Sequence, residues 1–347
     1  MMKPIAAMRR ALAPSSVSIS VAALVIAIIL TGPSTLFADE SSASAAAATT
    51  DHAAPVVDRA AAIAAAHRKL DDELLHAMMS PFTASAAYYI EAGKTARIGA
   101  DEKTTVMEPA TAMPSMAAVT YAEGAFWIEP VSGAAPPSVR GTTENGDVAP
   151  SIDAPISQKK KLGDGEVLAL KRFLLEMSPQ SGMGRVLVYD PESPMKKAFT
   201  GLKWFEPSPA FQIKAVFKPN PSPEKVTVGT SRGLKKEYYR VGTFEFTVEG
   251  KPQKLTALWI SATPKAGDGF FVPFTDATTG RESYEVGRYL DVKYEGPGAE
   301  HVIDFNKAGN PNCNYSPHYN CPIPPKENAL SVAIRAGEKT YPTDPHP

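Results

Sequence analysis

The residues best suited to chemistry are concentrated near the C-terminus, in the segment Asp304–Lys326, which reads DFNKAGNPNCNYSPHYNCPIPPK. It holds both cysteines of the chain, Cys313 and Cys321, with His318 between them. Two thiolates and an imidazole could bind a metal ion, and a cysteine with a histidine could form a nucleophile pair. The spacing is not that of a zinc finger, however, and two neighbouring cysteines in an oxidising compartment normally pair. A Cys313–Cys321 disulfide is therefore favoured, with metal binding and thiol catalysis as alternatives.

A second candidate site is the turn DATTGRE, residues 276–282, in which polar residues recur at every second position. Asp276, Thr278 and Glu282 could supply the oxygen ligands that a divalent cation such as Ca²⁺ takes. The pattern matches no standard calcium loop, so a polar hairpin turn with Gly280 at positive φ is favoured. We expect no cofactor, and these three residues are the candidates if a divalent cation binds.

Charged and polar side chains beside this turn suggest a binding pocket. On a strand, Glu282, Tyr284 and Arg288 share one side, and together they could bind an acidic or sugar-like ligand. Arg288 could instead form an internal ion pair with Asp304 or Glu282. We favour this structural pair, because a charge inside a β core needs a partner.

The leading functional hypothesis is an exported, β-rich module that binds a small molecule or carbohydrate under the segment Asp304–Lys326. The residues predicted to line its pocket are Glu282, Arg288, Asp304, Asn306, Asn310 and His318. One alternative is a hydrolase-type enzyme that uses the carboxylates of Asp276, Glu282 or Asp304. The other is a purely structural envelope protein. The sequence assigns no catalytic residue, since it contains no nucleophile elbow, phosphate loop, dinucleotide fingerprint or zinc-protease motif.

The first 38 residues resemble a signal peptide. Lys3, Arg9 and Arg10 precede an uncharged apolar run, and Leu36-Phe37-Ala38 offers a cleavage context before residue 39. We predict a secreted or periplasmic protein, with a flexible linker over residues 39–55. The alternative is an uncleaved inner-membrane anchor over residues 17–37, which would then be the chain's contact with the membrane. The formal net charge of −1 gives no argument for a nucleic-acid partner.

The pattern of the remaining chain predicts a mainly β fold, all-β or α+β. A helix over residues 56–79 begins a region that continues as a small β-sandwich to residue 160. Residues 161–347 form a larger antiparallel sandwich or open barrel with the irregular C-terminal segment as its cover. Within this region we predict one strand over residues 166–177, a proline-rich bend at KPNPSPEK and a closing strand at Val332–Ile334.

Several stretches resemble the bacterial family of unknown function DUF1684. They are YDPESPMKKAFTGLKWFEPSPAFQIKAVF, FVPFTDATTGRESYEVGRYLDV, DFNKAGNPNC, NCPIPPKENAL and AIRAGEK. The chain has AGNPNC where the family more often reads AYNPPC. The resemblance implies the β architecture and carries no established activity.

Overall fold

The computed structural model describes residues 58–99, 106–107, 117–143, 147–149 and 154–341. The predicted leader and linker lie outside these residues. Two α-helices are described, α1 (Arg59–His76) and α2 (Pro194–Ala198). The strands are β1 (Ala84–Ile90), β2 (Lys94–Gly99), β3 (Val106–Met107), β4 (Ala117–Ala122), β5 (Ala125–Pro130), β6 (Ser138–Gly141), β7 (Ala154–Pro155), β8 (Lys160–Lys161), β9 (Glu166–Leu170), β10 (Phe173–Gln180), β11 (Met183–Tyr189), β12 (Gln212–Gly229), β13 (Lys235–Val248), β14 (Lys251–Trp259), β15 (Gly269–Phe274), β16 (Arg288–Lys293) and β17 (His301–Asp304). The predicted mainly β fold class is confirmed.

The N-terminal strands form a β-sandwich. One sheet has the order β1-β11-β10-β9-β6-β7 and the other β3-β2-β4-β5-β8. Alternate side chains of β4 and β5, including Val119 and Ile128, are buried against Leu168 and Val186 of the first sheet. This period of two is what places one face of each strand in a core.

The first sheet runs across the predicted boundary at residue 160. Strand β1 pairs with β11, and β6 pairs with β9, so residues before and after the boundary share one ladder. The predicted strand over residues 166–177 is two strands, because the chain turns at Lys171, whose φ is 54°. The sandwich therefore ends near Tyr189.

The C-terminal strands form one six-stranded antiparallel sheet of order β16-β15-β14-β13-β12-β17. Its two edge strands, β16 and β17, approach each other, so the sheet is nearly closed. Its interior holds a cluster of aromatic and aliphatic side chains that includes Phe244, Phe270, Phe274 and Phe305. A second apolar cluster, with Tyr189 and Leu174 on one side and Tyr238 and Phe271 on the other, joins the sheet to the sandwich.

The proline-rich segment KPNPSPEK is part of β12, and the predicted bend is wrong. The strand continues, but its ladder with β13 is interrupted between Pro219 and Glu224. Three prolines in this stretch lack an N–H to donate to the ladder. Between Pro219 and Glu224 the strand advances five residues while β13 advances two, so the stretch forms an irregularity within a continuing strand. Asn220 replaces part of the pairing, since its Nδ2 donates to the carbonyl of Arg240 at 3.2 Å.

The predicted closing strand at Val332–Ile334 is also wrong: these residues are irregular although both side chains are buried. A short apolar run predicts burial better than it predicts ladder pairing. The segment that follows passes close to the chain at residues 305–308. Gly337 has φ of 77°, and a Cβ there would lie 2.6 Å from the carbonyl oxygen of Phe305.

Helix α1 is shorter than predicted and lies against the C-terminal sheet's irregular cover. Asp58 caps its first turn by accepting from the amides of Ala60 and Ala61. The helix ends before Ser80-Pro81 because the amides of Met78 and Met79 donate to the carboxylate of Asp147. Within the described part of the chain, no helix has the length and apolarity needed to cross a membrane.

Candidate functional site

A buried ion pair organises the end of the C-terminal sheet. Arg288, the first residue of β16, donates through Nη2 to Asp276 Oδ2 at 2.6 Å, and the two side chains are 1% and 0% exposed. The guanidinium also donates to the main-chain carbonyls of Ile334 and Ala336. The predicted structural ion pair exists, but its partner is Asp276 and not Asp304 or Glu282. The arginine thereby fixes the path of the last irregular segment.

A buried carboxylate continues this network toward the surface. Glu338 accepts from the phenol of Tyr315 at 2.5 Å and from the amide of Asn310 at 2.8 Å. Burial raises the pKa of Glu338 to about 7, despite these donors and the charge of Arg288. The side chain of Asn310 donates to the carbonyl of Lys339 at 2.7 Å. Glu338 therefore points inward while its neighbour Lys339 is held at the surface.

An open cleft of about 470 Å³ adjoins this network, since its lining residue Lys339 follows Glu338 directly in the chain. Three short segments form it, and their main chains are bonded to one another: Lys339 N–H donates to Lys203 O at 2.7 Å, and Thr340 N–H donates to Glu282 O at 3.2 Å. The lining residues are Leu202, Lys203, Trp204, Arg281, Glu282, Lys339 and Thr340. The buried ion pair supports this surface from below, through the segment 334–338.

Cationic side chains outnumber carboxylates in the cleft. Lys203, Arg281 and Lys339 line it, and neither Lys203 nor Arg281 makes a hydrogen bond or ion pair through its side chain within the described part of the chain. The one lining carboxylate, Glu282, accepts from Arg335 Nη2 at 2.9 Å, and this bond lowers the pKa of Glu282. Its charge is thus already balanced, and the remaining charge of the lining is positive.

The indole of Trp204 forms part of the cleft wall. The imidazole of His67, from α1, stacks on it with ring centroids 3.8 Å apart and planes 7° apart. His67 Nε2 also lies 2.8 Å from the carbonyl oxygen of Asn306. Burial lowers the pKa of His67, which favours the neutral imidazole with its proton on Nε2, where it can donate to this carbonyl. Asp71, one turn further along α1, accepts the amide of Leu202 at 3.2 Å. Helix α1 thereby fixes the segment 202–204.

Three of the predicted ligand residues are engaged inside the fold. Asp304 accepts from the amide of Asn306 at 3.1 Å and from Gln212 Nε2 at 3.1 Å. Asn306 is 1% exposed. Its Oδ1 accepts from the amide of Ser208, and its Nδ2 donates to the carbonyl of Ser208. His318 is half-buried, and its carbonyl accepts from Arg185 at 3.2 Å. They do not line the cleft.

Of the six predicted residues, Glu282 lines the cleft, and Arg288 and Asn310 bond the main chain of the segment 334–339, which ends at the lining residue Lys339. The three carboxylates of the hydrolase hypothesis, Asp276, Glu282 and Asp304, each have a different cationic or amide partner.

The turn 276–282 has the geometry of a polar hairpin turn, with Gly280 at φ of 73°. Asp276 Oδ1 accepts from both the amide and the hydroxyl of Thr278, at 2.6 and 2.5 Å, while Oδ2 accepts from Arg288. Both oxygens of the candidate metal ligand are therefore engaged. Among the described residues, no group of three or more His, Cys, Asp or Glu side chains is placed to hold a metal ion.

The two cysteines are neighbours in space and both are free thiols in this structure. The amide of Cys313 donates to Cys321 Sγ at 3.3 Å. Cys313 is half-buried, and Cys321 is 6% exposed in the cluster between the sandwich and the C-terminal sheet. The predicted disulfide is thus not formed here, although the thiols lie beside each other.

Sequence reasoning missed Lys203, Trp204, Arg281 and Lys339. They come from three separate parts of the chain and lie in irregular segments, where no periodicity signals a shared face. The sequence offered only the local pairs Lys203-Trp204 and Arg281-Glu282, whose side chains can cover apolar surface while their polar ends stay in water.

Residues 197–339 match the family model described as protein of unknown function (DUF1684). The chain belongs to the DUF1684 family. A solved relative is the uncharacterized protein from gene locus rrnAC0354 of Haloarcula marismortui, determined by solution NMR. It is 35% identical over 44% of this chain and 83% of that chain, with a TM-score of 0.37.

No curated protein matches the chain. The DUF1684 segment contains every lining residue of the cleft except Thr340, which follows it directly. His67, which stacks on Trp204, comes from outside the DUF1684 segment.

Proposed function

We propose that the protein is a binding module whose cleft takes a small carboxylate-bearing ligand, such as an acidic sugar. The observation that carries the proposal is the convergence of Lys203, Arg281 and Lys339 beside the indole of Trp204. Cationic groups bind carboxylates through charge-assisted hydrogen bonds, and an aromatic wall favours the apolar face of a sugar ring. The cleft replaces the pocket predicted under the segment Asp304–Lys326.

The size and setting of the cleft suit such a ligand. A volume of about 470 Å³ falls within the range of small-molecule sites. The lining is held before any ligand arrives, because Arg288, Asn310 and the main-chain bonds of Lys339 and Thr340 fix its segments. Pre-organisation lowers the entropy lost on binding.

Thermal unfolding of residues 39–347, which leave out the predicted leader, with and without ligand tests this proposal. Galacturonate is compared with galactose, which has the same ring without the carboxylate, and with citrate and inorganic phosphate. Saturation at about 100 times Kd adds about 2.7 kcal/mol to the free energy of unfolding, so galacturonate or citrate should raise Tm by several degrees.

Arg281→Gln and Lys203→Gln should abolish the rise in Tm, whereas Lys251→Gln, an exposed lysine on the β13–β14 hairpin, should keep it. A response to phosphate alone would identify a phosphate site instead. No response to any of the four compounds, or an equal response in Arg281→Gln, would contradict the proposal.

We further propose that residues 1–38 direct export and that Cys313 and Cys321 then join in a disulfide. The basic and apolar order of the leader supports export, and the contact of the Cys313 amide with Cys321 Sγ supports pairing. Expression from the full chain, fractionation and mass spectrometry without reductant check both points. A chain retained in the cytoplasm would contradict export, and two free thiols in exported protein would contradict the disulfide.

A further inference from the structure

The surroundings of the two cysteines differ, and the difference gives them different chemical roles. Cys313 is half-buried and lies in the short 3-10 helix Asn312–Asn314, at the edge of the apolar cluster that joins the two β units. Cys321 lies inside that cluster and is 6% exposed. A reagent from solvent therefore reaches Cys313 first.

Hydrogen-bond donors are gathered around Cys313. Tyr284 Oη lies 3.7 Å from Cys313 Sγ and 3.5 Å from the Cys313 carbonyl oxygen. Burial raises the pKa of Tyr284, which keeps the hydroxyl protonated and able to donate. Hydrogen bonds from the Cys321 thiol, Tyr284 and Ser231 lower the pKa of Cys313 to about 7. A thiolate is thus stabilised at Cys313 near neutral pH.

Cys321 is held as the protonated partner. Its amide donates to Ser231 Oγ at 3.0 Å, and its carbonyl accepts the amide of Ser231 at 2.8 Å, which fixes the main chain at this position. The hydrogen bond that it donates to Cys313, together with burial, raises the pKa of Cys321. The other titratable groups that interact with the pair are Lys236, Tyr238, Tyr289 and Tyr319.

We propose that the pair is a reactive dithiol, in which Cys313 is the attacking thiol and Cys321 the resolving thiol. This role rests on the disulfide proposed above. In addition, Cys313 is the sulfur that reacts first, and the Cys313–Cys321 bond can exchange with other thiols and disulfides. The substrate class is a low-molecular-weight disulfide, with glutathione disulfide as the probe.

The exchange proceeds in two balanced steps. The Cys313 thiolate attacks one sulfur of glutathione disulfide, which forms a mixed disulfide and releases one glutathione thiolate. The Cys321 thiol gives its proton to that thiolate, and its own thiolate attacks Cys313 Sγ and releases the second glutathione, which takes a proton from solvent. The two cysteines lose two electrons and glutathione disulfide gains them.

Alkylation of the reduced protein by iodoacetamide, followed by peptide mass spectrometry, tests the assignment. At pH 7 Cys313 should react at least about tenfold faster than Cys321, because the thiolate is the nucleophile and Cys313 is the more exposed of the two. The rate at Cys313 should rise with pH around a midpoint near 7. Tyr284→Phe should move this midpoint upward, whereas Tyr294→Phe, a buried tyrosine of the C-terminal core, should leave it unchanged.

Glutathione disulfide distinguishes this inference from the disulfide proposal itself. Cys321→Ser should accumulate a mixed disulfide at Cys313, while Cys313→Ser should accumulate little. If wild-type protein never forms the Cys313–Cys321 bond, the disulfide proposal fails. If the bond forms but Cys321 is alkylated first, or both thiols react only near the ordinary thiol pKa of about 8.5, the assignment of roles is wrong. These labelling rates are measured on wild-type protein, so they do not depend on a variant that folds.

Discussion

Arg288 Nη2 and Asp276 Oδ2 lie 2.6 Å apart in the interior of the C-terminal sheet, and neither side chain reaches solvent. The guanidinium also donates, through Nη1 and Nη2, to the carbonyls of residues 334, 336 and 338. One buried charge therefore ties the turn 276–282 to the irregular segment that precedes Lys339. Two of the three segments that form the cleft are thus linked by this contact.

Removal of one member of this pair should destabilise the protein strongly. Arg288→Met leaves the carboxylate of Asp276 buried without its cation, and we expect a loss of about 3–5 kcal/mol in the free energy of unfolding. Urea unfolding followed by circular dichroism measures this. Arg335→Met removes an exposed arginine that pairs with Glu282, and its unfolding midpoint should stay close to the wild-type value. Equal midpoints for the two variants would show that the buried pair has no special role.

Glu338 should make stability fall as the pH rises from about 4 to about 7. Its pKa in the folded protein is about 7 because of burial, above the value of about 4.3 for an unfolded chain. Between these values the folded state binds the extra proton, so stability is complete below about pH 4 and is lost as the pH rises toward 7. Each pKa unit corresponds to about 1.4 kcal/mol.

Glu338→Gln tests this pH dependence, because its amide oxygen keeps an acceptor for Asn310 without a titratable proton. Between pH 5 and pH 8, the free energy of unfolding of Glu338→Gln should increase relative to that of the wild type. A difference that does not change with pH would contradict the raised pKa.

Gly242 of β13 should not tolerate a side chain. A Cβ at this position would lie 2.6 Å from the carbonyl oxygen of Lys218 and against the ring of Phe217. Gly242→Ala should therefore cost about 1–3 kcal/mol through overpacking. Gly229→Ala, in the strand that pairs with β13, meets nothing within 4 Å and should change stability little. Equal effects in thermal melts would mean that β12 and β13 do not approach as described.

Trp204 should report on the cleft. Galacturonate that contacts the indole should change the tryptophan fluorescence of the wild-type protein, since Trp204 lines the cleft. Trp204→Phe should remove most of the change, while Trp127→Phe, in the N-terminal sandwich, should keep it. A change that survives in Trp204→Phe would place the ligand elsewhere.

Much of the fold could be predicted from the sequence because its signals are local. The residue pattern predicted the mainly β fold class, and a helix was predicted over residues 56–79, where α1 occupies Arg59–His76. The corrections come from tertiary contacts. Asp147 ends α1 from a distant loop, and β12 is anchored on either side of its proline stretch, since residues 212–219 pair with β17 and β13 and residues 224–229 pair with β13 again.

The site was harder to predict, because its parts meet only through the fold. The sequence showed that Arg288 needs a buried partner, but several carboxylates were available and spacing could not select Asp276. The cleft's cations lie on three segments that are joined by main-chain bonds. Main-chain bonds do not depend on the identity of the side chains, so the sequence could not assign Lys203 and Lys339 to one surface.

Isothermal titration calorimetry with galacturonate tests the central claim most directly. Wild-type protein should bind it with one site per chain, and galactose should not bind detectably at the same concentration. The double variant Lys203→Gln/Arg281→Gln should bind at least about tenfold more weakly, since charge-assisted bonds contribute roughly 1.5–3 kcal/mol each. Lys251→Gln should match the wild type. Equal affinities of wild type and double variant, or equal binding of galactose and galacturonate, would contradict the proposed anion-binding cleft.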